Sequence, residues 1–256
     1  MEINLEIPTE LITDNSHEIK YEYLKGKIVV GLVGYAGAGK NMLGNLLTQK
    51  LNFKDISFGD ALKRDLNNYM KDAIFYDLKD NHNIDINIQD IDFLNPKNRE
   101  IKEIIRPYMI WFGEEMKKLN GINHWVNRAI EKIEDKDKKI VITDVRREIE
   151  LELFKFNRES FNRRINNRKT LNIPISGLEK EDYDGDFECL LLYINQLNLT
   201  DKDNLTIDTI IKSQEQWMFD HTIYVDSTIP DINEYREKHM LNHLYELVEK
   251  FPEYFV

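Results

Sequence analysis

Residues 34–41, GYAGAGKN, place three glycines and a lysine at a spacing that can cradle phosphate. In the generic pattern G-x-x-x-x-G-K-[ST], glycine backbone turns successive N–H groups inward on an anion. The lysine reaches the outer phosphates and the next hydroxyl ligates Mg²⁺. Gly34, Gly39 and Lys40 fill the fixed positions; Gly37, Ala36, Ala38 and Met42 are taken with them as nucleotide contacts. Asn41 departs from the pattern. It offers a carbonyl oxygen on a longer arm instead of a hydroxyl. Magnesium keeps several waters and takes one or two protein oxygens plus the phosphates, so this exchange weakens the motif without excluding function. A Gly-rich turn without a ligand is the bland alternative, and the flanking residues argue against it. The apolar run KIVVGLV precedes the loop, and leucines 43, 46, 47 and 51 follow at helical spacing.

A second acid, Asp144, ends the apolar run KKIVITD. On a separate strand it suits the metal side of a phosphoryl-transfer site. An Asp before VRRE equally suits a helix N-cap, and both readings stay open. An anionic acceptor needs cations, and the candidates are Lys63, Arg64, Arg106, Arg128, Arg146 and Arg147, with a basic cluster at 158–169. Taken singly, such residues are usually solvated. Arg146 stands out two residues after Asp144, and Arg106 stands out at the head of an otherwise apolar helix.

The elements that must hold these groups read as an alternation of strands and helices. Strands are predicted at 27–33, 53–60, 138–144 and 221–226. Helices are predicted at 61–78, at 101–119 with a kink or fresh start at Pro107, at 123–133, near 187–198, and at about 232–250. On the first of these, Leu62, Leu66, Tyr69, Ala73 and Tyr76 share a face. Residues 79–97 read as an irregular excursion. Trp111, with Tyr108 and Phe112, could line a pocket, although such a stripe is more often core. Alternation of this kind implies an α/β fold with a parallel sheet, whose ligands sit at the carboxyl ends of the strands. The Gly-rich loop and Asp144 both fall at such ends.

The bulk composition narrows the partners. The chain has 256 residues and a formal net charge of −11, which disfavours nucleic acid and anionic membrane as partners. No run is apolar enough to span a bilayer, and the N-terminus lacks a signal-peptide pattern. The single cysteine, Cys189, reads as a buried apolar residue and fits a reducing, cytoplasmic setting. Oligomeric state stays open, with a homodimer allowed.

Five pieces, GLVGYAGAGKN, SFGDALKRDL, RPYMIWFGEEMKK, HWVNRA and ITDVRREIE, resemble in order the motifs of a known family. These are the deoxynucleoside monophosphate kinases of phage type and their relatives in large DNA viruses. The likeness runs from residue 28 to about 150, roughly half the chain. It implies a P-loop NTPase fold, three-layered α/β/α with a central parallel sheet, nucleoside monophosphate kinase-like, with extra helical or lid segments. It implies ATP-dependent phosphorylation of a (deoxy)nucleoside monophosphate with Mg²⁺, for which Asn41 and Asp144 are the metal-side residues of the motif reading above. That family often has Asp after the loop lysine, so Asn41 is a smaller departure than the generic pattern implied. Lys40, Arg106 and Arg146 are then the catalytic cations. The resemblance would place Asp60, Lys63, Arg106, Asp144 and Arg146 around the acceptor nucleotide, and Trp111 and Arg147 are taken with them as substrate contacts.

Departures are GEE at 113–115 where the family has GTE, Ala61 where it has Pro, and the lack of an evident strand ending in Arg after DVRRE. Phosphomevalonate kinases of animal type share the sub-fold and resemble this chain in WFGEE and DVRR. A degenerate nucleotide-binding module without catalysis is the third reading. The expected organisation is an N-terminal extension (1–24), loosely attached, and a kinase domain (25–256). Acceptor-binding helices occupy about 60–135, and a lid or insertion about 151–215. Within the latter, residues 155–169 carry six basic residues and one acidic, and 179–188 carry six acidic and one basic. Arg163, Arg164 and Arg168 would serve a closing lid, or the two stretches could simply pair as solvated faces.

Overall fold

A computed structural model describes residues 3–13, 18–35, 37–154, 187–197, 219–226 and 233–256. The chain divides into two compact units. One joins Met1–Lys20 to Ser57–Lys132, and the other joins Tyr21–Ile56 to Ile133–Val256.

The second unit is built on a five-stranded, all-parallel sheet in the order β2-β3-β1-β4-β5. Its strands are β1 (Ile28–Gly34), β2 (Lys54–Ile56), β3 (Lys139–Val145), β4 (Glu188–Leu197) and β5 (His221–Asp226). Three helices of this unit matter here: α1 (Lys40–Leu51), α6 (Glu148–Glu152) and α7 (Asn233–Lys250). Successive strand side chains alternate between faces. Val30, Leu32, Leu190, Leu192 and Ile194 therefore share one face, where they pack with Leu43, Leu46 and Leu47 of α1 and with Met240, Leu244 and Leu247 of α7. On the opposite face the Phe154 ring lies so close that a Cβ on Gly31 would sit 2.4 Å from it.

β4 corrects the sequence reading, which placed a helix near 187–198 inside a lid or insertion. Residues 188–197 form a strand of the core sheet. The reason is physical. Cys189 through Ile194 are all buried because β4 runs between β1 and β5 with both faces covered. Such a strand loses polar alternation, and a short apolar run then cannot be told from a buried helix. Cys189 is buried as expected. The basic stretch 155–169 and most of the acidic stretch lie outside the described residues.

The first unit is helical. It contains α2 (Phe58–Asp65), a π-helical turn (Leu66–Met70), α3 (Lys71–Asp80), α4 (Arg99–Asn120) and α5 (His124–Ile130). Ser57 caps α2 by accepting from the Asp60 N–H. The π turn overturns the face predicted for 61–78: Tyr69 and Tyr76 are 45% and 59% exposed, while Met70, Ile74 and Leu78 are buried. A wider i→i+5 turn delays the rotation of every later residue, which a constant 3.6 period cannot anticipate. Pro107 neither breaks nor restarts α4, which runs through it as one 22-residue helix.

The loose N-terminal attachment expected for residues 1–24 is not what this unit contains. The Asn120 side chain accepts from the Thr13 N–H (2.7 Å) and donates to the Leu11 carbonyl (2.8 Å). Seven residues on, Asn127 accepts from the Lys20 N–H and donates to the Glu18 carbonyl, both at 2.9 Å. Each side-chain amide thus stands in for a neighbouring strand. No helix among the described residues is long and apolar enough to cross a membrane.

Candidate functional site

β1 delivers the Gly-rich loop at its carboxyl end, and α1 begins directly at Lys40. Gly34 must be glycine, because a Cβ there would lie 2.6 Å from the Ile194 carbonyl oxygen of the adjacent strand. Gly39, at φ +99°, forms the left-handed N-cap of α1, a conformation other residues adopt at a cost. This cap leaves the first N–H groups of α1 without helical partners, so the loop and helix dipole favour an anion. Ala38 is buried in the core beneath, Met42 packs partly against that core, and Asn41 is exposed in the first turn. Ala36 lies outside the described residues.

The Lys40 side chain folds back into the loop. Its Nζ donates to the carbonyls of Gly34 (2.6 Å) and Tyr35 (2.8 Å), and the residue is 5% exposed. Burial, helped by the positive charge of Arg146 and opposed by Asp144, lowers its pKa to about 8. Lys40, Asp144 and Arg146 are therefore electrostatic neighbours. Asp144 lies within β3 and the residue before α6 is Arg147, so the alternative in which Asp144 caps that helix does not apply.

Sequence reasoning gave no role to Glu150. Its carboxylate, 9% exposed, accepts the backbone N–H groups of Arg146 (2.6 Å) and Arg147 (2.9 Å). Burial, then the charge of Asp144, raises its pKa to about 7 against those hydrogen bonds. A carboxylate three and four residues beyond two strand-end arginines is the pattern that could have revealed it, since an N3 acid reaches back to the N-cap backbone. Both arginine side chains are exposed, while the turn that carries them is pinned.

The other expected site residues lie in the helical unit. Lys63 and Asp60 pair with each other at 2.8 Å on α2. Arg106 sits in the second turn of α4 instead of leading it, 3.7 Å from Glu103. Trp111 is half-buried, whereas Tyr108 and Phe112 are core. Arg106 and Trp111 line one open groove of about 540 Å³ together with Ile3, Glu103, Pro107 and Ile110. Arg128 is engaged structurally, bidentate to the buried Asp65: its Nη2 donates to Oδ1 at 2.7 Å and its Nε to Oδ2 at 3.2 Å.

A loop with glycines at positive φ, a buried lysine folded onto its carbonyls and an electrostatically coupled arginine suits a polyphosphate. Among the described residues no cluster of three or more His, Cys, Asp and Glu is arranged to hold a metal ion. Magnesium bound through one or two protein oxygens and the phosphates does not require one. Compared with known proteins, the chain matches no family model, and no curated protein matches it significantly.

Proposed function

We propose that this chain is an ATP-dependent kinase that phosphorylates a (deoxy)nucleoside monophosphate to the diphosphate, on a P-loop fold of the nucleoside monophosphate kinase type. The observation that carries the reading is Lys40. It is a buried cation at the base of a strand–loop–helix turn, held by the loop's own carbonyls and electrostatically coupled to Asp144 of β3 and to Arg146 just beyond it. ATP with Mg²⁺ would supply the phosphoryl group and neutralise its oxygens, with Asn41 and Asp144 as the oxygens this chain offers the metal.

Phosphoryl transfer asks a protein for positioning and charge neutralisation. Lys40 and the N–H groups at the start of α1 would neutralise the donor phosphates. Arg146, on a turn fixed by Glu150, would meet charge developing on the transferring group. On the helical unit, Arg106 would bind the acceptor phosphate and Trp111 its base, since their shared groove joins a cation to an aromatic face. Asp60 and Lys63 complete the acceptor set as a pair. A general base is unnecessary, because the attacking phosphate oxygen is already anionic.

The test is ADP release from ATP and Mg²⁺ with a panel of dNMPs, NMPs and phosphomevalonate. Turnover with a nucleoside monophosphate and none with phosphomevalonate supports the proposal. Turnover with phosphomevalonate alone replaces it by that related chemistry. ATP binding without any turnover assigns a nucleotide-binding module instead.

A further inference from the structure

Three imidazole-ring contacts cluster on and beside α7, in the sheet unit, and the phosphate loop uses none of them. The Nε2 atoms of His239 and His243 lie 3.3 Å apart, one helical turn from each other. The Nδ1 of His243 lies 3.2 Å from the Glu246 carboxylate, and the two rings are nearly perpendicular at 77°. His221 on β5 is occupied separately, its Nδ1 3.0 Å from Lys250 Nζ.

We propose that His239 and His243 form a binding site for a borderline divalent transition-metal ion such as Zn²⁺, Ni²⁺ or Cu²⁺. Metal–imidazole bonds of about 2.0–2.1 Å at a tetrahedral angle separate the two nitrogens by about 3.3–3.4 Å. The observed pair already has that spacing, and ligation asks each ring to turn until the two Nε2 lone pairs converge on the ion. An ionised carboxylate only accepts hydrogen bonds, so the contact with Glu246 fixes the His243 proton on Nδ1 and leaves the Nε2 lone pair available. The Nε2–H of His239 then donates to that lone pair. On metal binding the His239 proton shifts to its Nδ1 through solvent, and both Nε2 atoms become donors. The His243 side chain is 16% exposed, which leaves a route for the ion. With two protein ligands and the rest water, the site is open and exchangeable, unlike a closed structural zinc site. Imidazole nitrogen selects these ions over Mg²⁺, which prefers oxygen. The inference is independent of the kinase proposal.

The experiment is calorimetric titration of the full chain with ZnCl₂, and separately CuCl₂, in a non-coordinating buffer containing excess Mg²⁺. One equivalent should bind, Cu²⁺ more tightly than Zn²⁺. His239→Ala and His243→Ala should each weaken binding by about tenfold or more. Glu246→Gln should weaken it by about tenfold, because the carboxylate that holds the His243 proton on Nδ1 is gone. Glu246 is 69% exposed, so this variant does not act through folding. The Cu²⁺ complex should show electron-spin resonance couplings from two imidazole nitrogens, reduced to one in His243→Ala. Absence of binding in the parent chain, or unchanged binding in both histidine variants, would overturn the proposal.

Discussion

The cations at the strand ends and those on the helical unit are held in opposite ways. Lys40 is nearly fully buried, bonded to two carbonyls of its own loop, and shifted in pKa; the arginine turn beside it is pinned by a buried carboxylate. Lys63 and Arg106 instead form side-chain pairs three residues away on their own helices, in solvent. Exposed pairs of this kind contribute about 0–1 kcal/mol, so they dissolve readily when an anion arrives. A donor triphosphate would meet a rigid, prepaid electrostatic frame. An acceptor would meet groups that rearrange around it.

That contrast predicts a graded series of effects. Lys40→Met should lower turnover by about a hundred- to a thousandfold, the scale of removing one preorganised charge-stabilising group. Circular dichroism should show the fold retained, and near-normal turnover would remove Lys40 from the donor site. Glu150→Ala should come next, removing the acceptor of two part-buried N–H groups, at up to about 1–3 kcal/mol each. It should lower Tm by several degrees and reduce turnover; a variant equal to the parent in both would mean that the arginine turn needs no anchor. The pKa of about 8 makes Lys40 itself a pH probe. ATP affinity that depends on the protonated amine should be level below pH 8 and fall about tenfold per unit above it, until binding itself holds the proton. Flat affinity from pH 7 to 9.5 would contradict the assignment. In the helical unit, Arg106→Ala should raise the KM for the monophosphate about tenfold and leave ATP affinity unchanged. Weakened ATP affinity in that variant would break the division of labour. The smallest effect belongs to Glu103→Ala, a change in stability of under about 0.5 kcal/mol, because its partner is an exposed arginine.

Local chemistry made part of this legible in the sequence. β1, β3, β5 and the start of α1 were readable because apolar runs ended in punctuating glycines or acids. Lys40 stood out from the glycine spacing together with the apolar run before it and the leucines after it. β4 was misread because burial on both faces erased its alternation, and the Tyr69 face was misread because a π turn shifts register without any sequence mark. Glu150 and the asparagine clamps at 120 and 127 escaped for another reason. Their partners are backbone N–H and C=O groups, which every residue has, so side-chain types announce nothing. Arg106 and Trp111 were named separately, and only the helix brings them to one groove.

The most direct measurement is a calorimetric titration of ATP, with Mg²⁺, into the full chain and into its Lys40→Met and Arg106→Ala variants. A rigid donor site at the end of β1 predicts one ATP per chain, binding lost in Lys40→Met and kept in Arg106→Ala. No binding in the parent chain, or equal binding in Lys40→Met, would contradict it.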